Sequence, residues 1–293
     1  MNSPKASALR IAALKGGFTR NGIYPFHIMY DTGLAEELKD VILRYFRGAE
    51  SRAEGFLDWI KDQVVERTDT LIEDAVRKPV TPLWDEMKRD ARGPFEISAS
   101  NQKPDGLDAI KILATTLKGT GIKLHLAGHS TGGVLLGHLL SALDSLRIPN
   151  LISTCTLFAP ACTVDFFQER YAPRLKANYK GTRVPVLDIY NLTDKLEQDD
   201  DVIKAYRKSL LYLVSNALER KRGKPLLGMQ NFSKALEGPK GLNIIYSNGR
   251  GTVTRSQTHG GFDNDTATMN SLLKRLLNGR PKKPFNDEEM KDY

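Results

Sequence analysis

The sequence predicts an α/β fold with a mostly parallel sheet and helices on both faces. Short runs rich in β-forming residues alternate with segments of helical periodicity, and strands separated by helices pair in parallel. The chain of 293 residues is 40% hydrophobic and 27% charged, which is ordinary for a globular protein with a sizeable core. We expect one domain over residues 1–280 and a loose polar tail over 281–293.

The N-terminal half predicts a strand, several helices and a second strand. The β-forming run Ile23–Tyr30 carries Pro25 near its start, where a missing N–H is tolerated. Helical periodicity begins at Leu34 and again at Ser51, where Glu54 completes a capping box. The predicted helices are one from Leu34, one from Ser51 to about Val76, one around Trp84–Ala91 after Pro79 and Pro82, and one that Asp105 caps and that runs to Leu117. The strand Ile122–Leu126 follows them.

The C-terminal half alternates in the same way. A helical run begins at Val134, and the apolar stripe from Val202 to Ala217 predicts an amphipathic helix. The remaining elements are predicted strands over Leu151–Phe158, Val184–Tyr190 and Leu242–Ser247, and predicted helices over Val164–Leu175 and Thr266–Leu277. We expect the active site beyond the carboxyl ends of these strands, as is general for such sheets.

The most informative motif is Gly128-His129-Ser130-Thr131-Gly132-Gly133, which lies between a predicted strand and a predicted helix. A serine at the tip of such a turn adopts a strained conformation, and small residues are needed two positions away on either side. The geometry exposes the hydroxyl over the end of the sheet and directs a helix N-terminus at it. The pattern G-x-S-x-G predicts a nucleophile elbow with Ser130 as the nucleophile.

These residues resemble the α/β-hydrolase superfamily over about Ile23 to Leu277. The resemblance implies an α/β-hydrolase fold, a serine hydrolase acting on an ester, thioester or amide, and no cofactor or metal. The early antiparallel strands of that fold have one candidate, Leu9 to Leu14. An acyltransferase using the same residues, or a non-catalytic binding or regulatory protein with this fold, are the alternatives.

Serine needs a base, usually a histidine oriented by a carboxylate. Of the five histidines, His259 alone follows a predicted strand near the C-terminus, and the chain order Ser, acid, His of the family agrees with it. The other four, which we expect to be structural, are His27, His125, His129 and His138.

Asp194 is the first carboxylate beyond the predicted strand Val184–Tyr190, which is where the family places its acid. Glu197 and the run Asp199-Asp200-Asp201 compete with it. Three consecutive carboxylates are typical of a helix N-terminus, where the dipole favours negative charge. Asp188 lies within the strand and is expected to face a helix. We therefore predict the triad Ser130, Asp194 and His259.

The backbone N–H of Thr131 is the expected first oxyanion donor. The family's second donor follows an early strand, often in a His-Gly pair, but here that stretch contains Asp31 and Thr32. A backbone N–H of either residue could serve. The Asp31 side chain would repel an oxyanion, and we expect it to cap the helix at Leu34 instead.

Two long insertions, about 52–100 and 195–241, could form a helical cap over the site. Trp59, Trp84, Phe166 and Phe167 could line an acyl pocket, although aromatic residues at such spacings are more often core.

The chain carries a net charge of +8, with basic clusters that we interpret as solvated helix ends rather than a nucleic-acid surface. The clusters are Arg220, Lys221, Arg222 and Lys224, and then Lys274, Arg275, Arg280, Lys282 and Lys283. Cys155 and Cys162 suggest neither a disulfide framework nor a zinc site. No apolar run reaches the length of a membrane span or a signal sequence, so we expect a cytoplasmic enzyme. Its expected partner is a small-molecule or acyl substrate. The sequence does not indicate an oligomeric state.

Overall fold

The computed structural model describes residues 4–28, 41, 65–96, 104–148, 150–200 and 206–291. Within these ranges four parallel strands form one sheet in the order β1-β2-β3-β4. The strands are β1 Leu124–His129, β2 Ile152–Phe158, β3 Leu187–Leu192 and β4 Leu242–Ser247. The predicted α/β class with a parallel sheet is thereby confirmed.

Helices connect and cover the strands. The α-helices are α1 Pro4–Thr19, α2 Val65–Arg92, α3 Asp105–Leu117, α4 Gly132–Ser145, α5 Val164–Arg170, α6 Asp194–Asp199, α7 Leu210–Leu213, α8 Gln230–Ser233 and α9 Thr266–Leu277. Short 3₁₀ turns cover Gly93–Phe95, Ala172–Leu175, Lys234–Leu236 and His259–Gly261, and a π turn covers Val214–Leu218. None of these helices is long and apolar enough to cross a membrane.

Local sequence signals explain several boundaries. The Thr163 side chain accepts a hydrogen bond from the Phe166 N–H and caps α5. Asp265 caps α9 in the same way, and Asn278 ends that helix in the left-handed conformation at φ 49°. The predictions Thr266–Leu277 and Leu242–Ser247 are confirmed at both ends. Helix α3 ends at Leu117 as predicted, but its N-terminal cap is Pro104, and Asp105 is its first residue.

The sheet separates two hydrophobic clusters. Neighbouring residues of a strand belong to different clusters, as for Phe158 and Leu157, or Tyr190 and Ile189. This alternation follows from the twofold period of a strand. Helices α1, α2 and α9 contribute to one cluster, and α4 and α5 contribute to the other. Helices therefore cover both faces, as predicted.

The C-terminal tail is packed, so the expectation of a loose segment is wrong. Phe285 and Met290 are 3% and 5% exposed and join the cluster that includes α1. Arg20, which follows α1 directly, forms an ion pair with Glu289, and its Nη2 also donates to the Pro284 carbonyl. The few apolar residues of a mostly polar segment are enough to fix it.

The N-terminal half departs from prediction in three places. Residues Ile23–Ile28 form no regular element, and Leu9–Leu14 are helical because they lie inside α1. Helix α2 continues through Pro79 and Pro82. The loss of backbone hydrogen bonds at the prolines is offset by a continuous buried stripe. That stripe consists of Val76, Val80, Trp84 and Met87.

Other differences are smaller. Val184–Val186 precede β3 rather than belong to it. Of the predicted Val202–Ala217 helix, residues 202–205 lie outside the described residues, 206–209 are not helical, and α7 begins at Leu210. The predicted helix from Leu34, the segment Ser51–Val64 and Trp59 lie outside the described residues, apart from Val41, which is helical.

The two predicted insertions contact each other where both are described. Arg77 of α2 donates to the carbonyl oxygens of Asn216 and Glu219, and Trp84 donates from its indole N–H to the Glu219 carboxylate at 2.7 Å. Both segments contribute buried residues to the same cluster.

Candidate active site

The candidate site lies at the carboxyl edge of the sheet. Ser130 follows β1, the segment beginning with α6 follows β3, and His259 follows β4. Because all four strands are parallel, these three connections emerge at the same edge. The fold thus gathers residues that are 129 positions apart in the chain.

Ser130 has a left-handed backbone conformation, with φ 54°. Such a conformation is unfavourable for a residue with a side chain, and it persists only where the surroundings enforce it. Here the Ser130 N–H donates to the Phe158 carbonyl at 2.9 Å, and its carbonyl accepts from Ala161 N–H and Gly133 N–H at 3.0 Å each. These bonds join the turn to the end of β2 and fix the direction of the hydroxyl.

The two motif glycines have different surroundings. A Cβ on Gly128 would lie 2.8 Å from the Leu136 side chain and 3.0 Å from the Gly132 backbone, so the turn requires glycine there. A Cβ on Gly132 would meet no atom within 4 Å. Only the first glycine is therefore demanded by packing against the protein.

His259 contacts the serine directly. Its Nε2 lies 3.0 Å from Ser130 Oγ, and the two residues are only 7% and 6% exposed. The histidine opens a 3₁₀ turn in which Gly261 N–H donates to the Thr258 carbonyl. This distance is within hydrogen-bond reach, as a serine–base pair requires.

The electrostatic surroundings keep His259 neutral. Burial first, and then the nearby His129, hold the pKa of His259 well below its usual range, while Asp263 opposes this effect. A neutral imidazole with its Nε2 facing a hydroxyl can accept the hydroxyl proton. The arrangement therefore suits a base.

Asp194 is engaged away from His259. Its carboxylate accepts hydrogen bonds from the Tyr212 hydroxyl at 2.6 Å, the Asn231 amide at 2.6 Å and the Gln198 amide at 2.5 Å. None of these bonds leads to the histidine. The structure brings together Ser130 and His259 of the three predicted residues, but it does not bring Asp194 to them.

The carboxylate that reaches His259 is that of Asp200. Its Oδ2 accepts the His259 backbone N–H at 2.7 Å, and the residue is only 9% exposed. The other ring nitrogen, Nδ1, is buried and makes no hydrogen bond to a described residue. Asp200 is thus a carboxylate in direct contact with His259.

The helix-dipole argument from the sequence does not explain the position of Asp200. Asp199 ends α6 and Asp200 is its C-terminal cap, so both carboxylates lie at the C-terminal end of a helix. Negative charge at this end is not favoured by the helix dipole. A carboxylate that is both buried and at the disfavoured end of a helix points to a requirement other than helix stability.

Glu197 lies one turn before Asp200 and is completely buried. Burial raises the pKa of Glu197 to about 8, the Ser209 hydrogen bond opposes this rise, and the neighbouring Asp200 and Asp194 add to it. The Ser209 hydroxyl donates to Oε2, and Ser209 N–H donates to the Glu197 carbonyl at 2.7 Å. These two bonds join Glu197 and Ser209, which lie on either side of Asp200 in the sequence.

Thr131 N–H is the predicted oxyanion donor that falls within the described residues. Thr131 precedes α4 as its N-terminal cap, and its N–H makes no hydrogen bond to a described residue. A free N–H at a helix N-terminus is suited to an anion. Asp31 and Thr32, the candidates for the second donor, lie outside the described residues.

Two of the remaining histidines, His125 and His138, are packed within the fold. His125 on β1 hydrogen-bonds through Nδ1 to Thr154 Oγ1 on β2 at 2.8 Å. His138 on α4 packs against the Phe166 ring on α5. Burial lowers the pKa of His138 to about 4, with nearby Arg170 and Arg92 adding to the effect. His129 is different, because it contacts the backbone of His259.

Other predicted residues lie mainly in the core or in ion pairs. Trp84 and Phe167 are buried in the two clusters, and Phe166 is partly buried against the second. Cys155 and Cys162 are buried free thiols. Four basic side chains of the predicted clusters pair within the chain, namely Arg220 with Asp85, Arg222 with Glu73 and Asp74, Lys224 with Asp165, and Arg275 with Asp188.

Among the described residues, no three His, Cys, Asp or Glu side chains are grouped so as to hold a metal ion. Comparison with protein-family models finds no match for this chain. Comparisons with curated proteins and with solved structures find no significant similarity.

Proposed function

We propose that this chain is a serine hydrolase with an α/β-hydrolase fold that cleaves an acyl bond, such as a carboxylic ester, thioester or amide. The observation that carries the proposal is the 3.0 Å contact between His259 Nε2 and Ser130 Oγ. It occurs on a serine whose φ of 54° lies at a strand-to-helix turn. A strained serine beside a neutral buried histidine is the arrangement that nucleophilic acyl transfer needs.

In the first half of the reaction, Ser130 Oγ attacks the carbonyl carbon while its proton moves to His259 Nε2. The resulting tetrahedral oxyanion is stabilised by the N–H of Thr131. The bond to the leaving group then breaks, and His259 returns the proton to the leaving oxygen, sulfur or nitrogen. The product of this half-reaction is an ester between the acyl group and Ser130.

In the second half, water takes the place of the leaving group. His259 Nε2 removes a proton from the water as its oxygen attacks the acyl carbon. Collapse of the second tetrahedral intermediate breaks the bond to Ser130 Oγ, which regains the proton from His259. The acid product leaves and the enzyme returns to its starting state.

We assign the acid to Asp200 rather than Asp194. When Ser130 donates to Nε2, the His259 proton lies on Nδ1, which needs an acceptor as the ring gains charge. The Asp200 carboxylate already accepts the backbone N–H of the same residue at 2.7 Å. Its second oxygen is the acceptor we assign to Nδ1, because catalytic hydrogen bonds in free enzymes are often loose and tighten during the reaction.

Hydrolysis of p-nitrophenyl esters of increasing chain length tests the proposal. Ser130→Ala and His259→Ala should each lower kcat by about 10³-fold or more, since the nucleophile or its base is lost. Ser145→Ala is the matched control, because among the described residues that hydroxyl bonds to the Ala142 carbonyl within α4 and not to the site. Equal turnover by the wild type and Ser130→Ala would overturn the proposal.

A second pair of variants decides the acid. Asp200→Asn should lower kcat by about 10²- to 10⁴-fold, because the amide no longer stabilises the imidazolium. Asp194→Asn should leave kcat nearly unchanged, since its oxygens bond to Tyr212, Asn231 and Gln198. The opposite result would return the role to Asp194.

A further inference from the structure

His259 is held by its backbone at both ends of the residue. Its N–H donates to Asp200 Oδ2 at 2.7 Å, and its carbonyl oxygen lies 2.8 Å from His129 Nε2. A carbonyl can only accept, so His129 Nε2 must carry the proton of this bond. The histidine that precedes Ser130 in the motif therefore also bonds to the residue that contacts Ser130.

His129 is in turn held by an ion-paired carboxylate. Its Nδ1 lies 3.5 Å from Asp263 Oδ2, the same oxygen that Arg10 Nη1 contacts at 2.6 Å. Asp263 is buried, and although burial opposes it, the neighbouring His129 and Arg10 hold the pKa of Asp263 below its usual range. The carboxylate is therefore ionised at neutral pH and connects α1 to the site.

Aromatic packing fixes the plane of the His129 ring. The ring meets Phe158 and Phe262 edge to face, with centroids 6.5 Å and 6.4 Å away, and it lies 5.4 Å from the His259 ring. Phe262 follows the His259 turn directly and is completely buried. His129 thus has one orientation available for its bond to the His259 carbonyl.

We propose that His129 is a positioning residue for His259, and that Asp263 and Arg10 fix His129 in the orientation that holds the His259 backbone. This inference rests on the proposed function for its catalytic consequence. In physical terms, the hydrogen bond from His129 to the His259 carbonyl sets the distance between Ser130 Oγ and His259 Nε2. Helix α1 then contributes to the site through Arg10.

Two variants of His129 separate the hydrogen bond from simple packing. His129→Leu removes the donor, whereas His129→Gln keeps an N–H at similar reach. The matched control is Arg20→Met, which breaks the ion pair between Arg20, directly after α1, and Glu289; among the described residues, Arg20 forms no hydrogen bond or ion pair with His129. Arg10→Met tests whether the ion pair between Arg10 and Asp263 is needed to hold His129 in place.

The first readout is the kinetics of ester hydrolysis. We expect His129→Leu to lower kcat by about 10²-fold with little change in KM, because a misplaced base affects the chemical step. His129→Gln should restore most of kcat, Arg10→Met should show a smaller loss, and Arg20→Met should leave kcat unchanged. Equal kcat in His129→Leu and the wild type would overturn the inference.

The second readout needs no activity. Hydrogen exchange of the peptide containing His259 should accelerate by about tenfold in His129→Leu but not in His129→Gln or Arg20→Met. If the wild type hydrolyses no ester yet exchange follows this pattern, the proposed function fails and the positioning role stands. If exchange is the same in His129→Leu and the wild type, the positioning role fails whatever the activity.

Discussion

Replacing Glu197 with glutamine should stabilise the fold at neutral and alkaline pH, although it removes a side chain that is hydrogen-bonded. Glu197 is fully buried, the Ser209 hydroxyl donates to its Oε2, and its Oε1 has no hydrogen-bond partner among the described residues. Burial raises its pKa to about 8, with Asp200 and Asp194 contributing. Glutamine has the shape of the protonated carboxyl and cannot ionise.

The sign follows from proton linkage. Between pH 4.5 and about 8 the folded protein keeps the Glu197 proton, while the unfolded chain has released it. The fold therefore loses stability as the pH rises through this window, at about 1.4 kcal/mol per pH unit. The total cost at pH 8 is at most about 5 kcal/mol, and below pH 4.5 it vanishes.

Urea denaturation at pH 5 and pH 8 measures this effect. At each pH we compare the free energy of unfolding of Glu197→Gln with that of the wild type. This difference should favour the variant and should be several-fold larger at pH 8 than at pH 5. Glu169→Gln is the control, because that side chain is 66% exposed and its replacement should change the free energy of unfolding little. A Glu197→Gln variant that is equally or less stable than the wild type at pH 8 would show that burial of an ionised Glu197 does not destabilise the fold.

Three further predictions concern the turn, the tail and the base. Gly128→Ala should destabilise the fold by about 1–3 kcal/mol in thermal unfolding, because its Cβ would meet Leu136, whereas Gly132→Ala should keep the wild-type stability. Equal effects would contradict the assigned contacts. Phe285→Ala should destabilise by about 3–5 kcal/mol in urea, since the ring is buried against α1, and a neutral effect would mean that the tail is not packed. The acid limb of the kcat/KM profile should have its midpoint below pH 6.5, because His259 stays neutral to lower pH than usual, and a midpoint above that value would contradict it.

The sequence predicted those parts of the fold that depend on local pattern. Strand Leu242–Ser247 and helix Thr266–Leu277 are bounded by clear periodicity and by the Asp265 cap. The strand-to-helix turn at Ser130 was also predicted, because its glycine spacing reflects the need for small residues within two positions of the serine. These features need no knowledge of distant contacts.

The failures came from tertiary contacts. Proline content predicted a break in α2, but the stripe containing Val80 and Trp84 buries enough apolar surface to keep the helix continuous. Polar composition predicted a loose tail, but Phe285 packs against Phe18 with ring centroids 5.5 Å apart. Neither contact has a signal in the local sequence.

The choice of acid shows the same limit at the site. Asp194 and Asp200 both follow β3, and the sequence orders them along the chain without showing which one turns toward His259. The choice depends on where α6 ends and on bonds from Tyr212 and Asn231, which occupy Asp194. The contact of His129 with His259 likewise joins residues 130 positions apart.

The most direct test of Ser130 as the nucleophile is covalent labelling with a fluorophosphonate, followed by mass spectrometry of the labelled peptides. We predict one adduct on Ser130 in the native protein and no adduct in Ser130→Ala. Labelling should be much slower in His259→Ala and Asp200→Asn than in Asp194→Asn. Folded protein that stays unlabelled, or that carries its adduct on another residue, would contradict the assignment of Ser130 as the nucleophile.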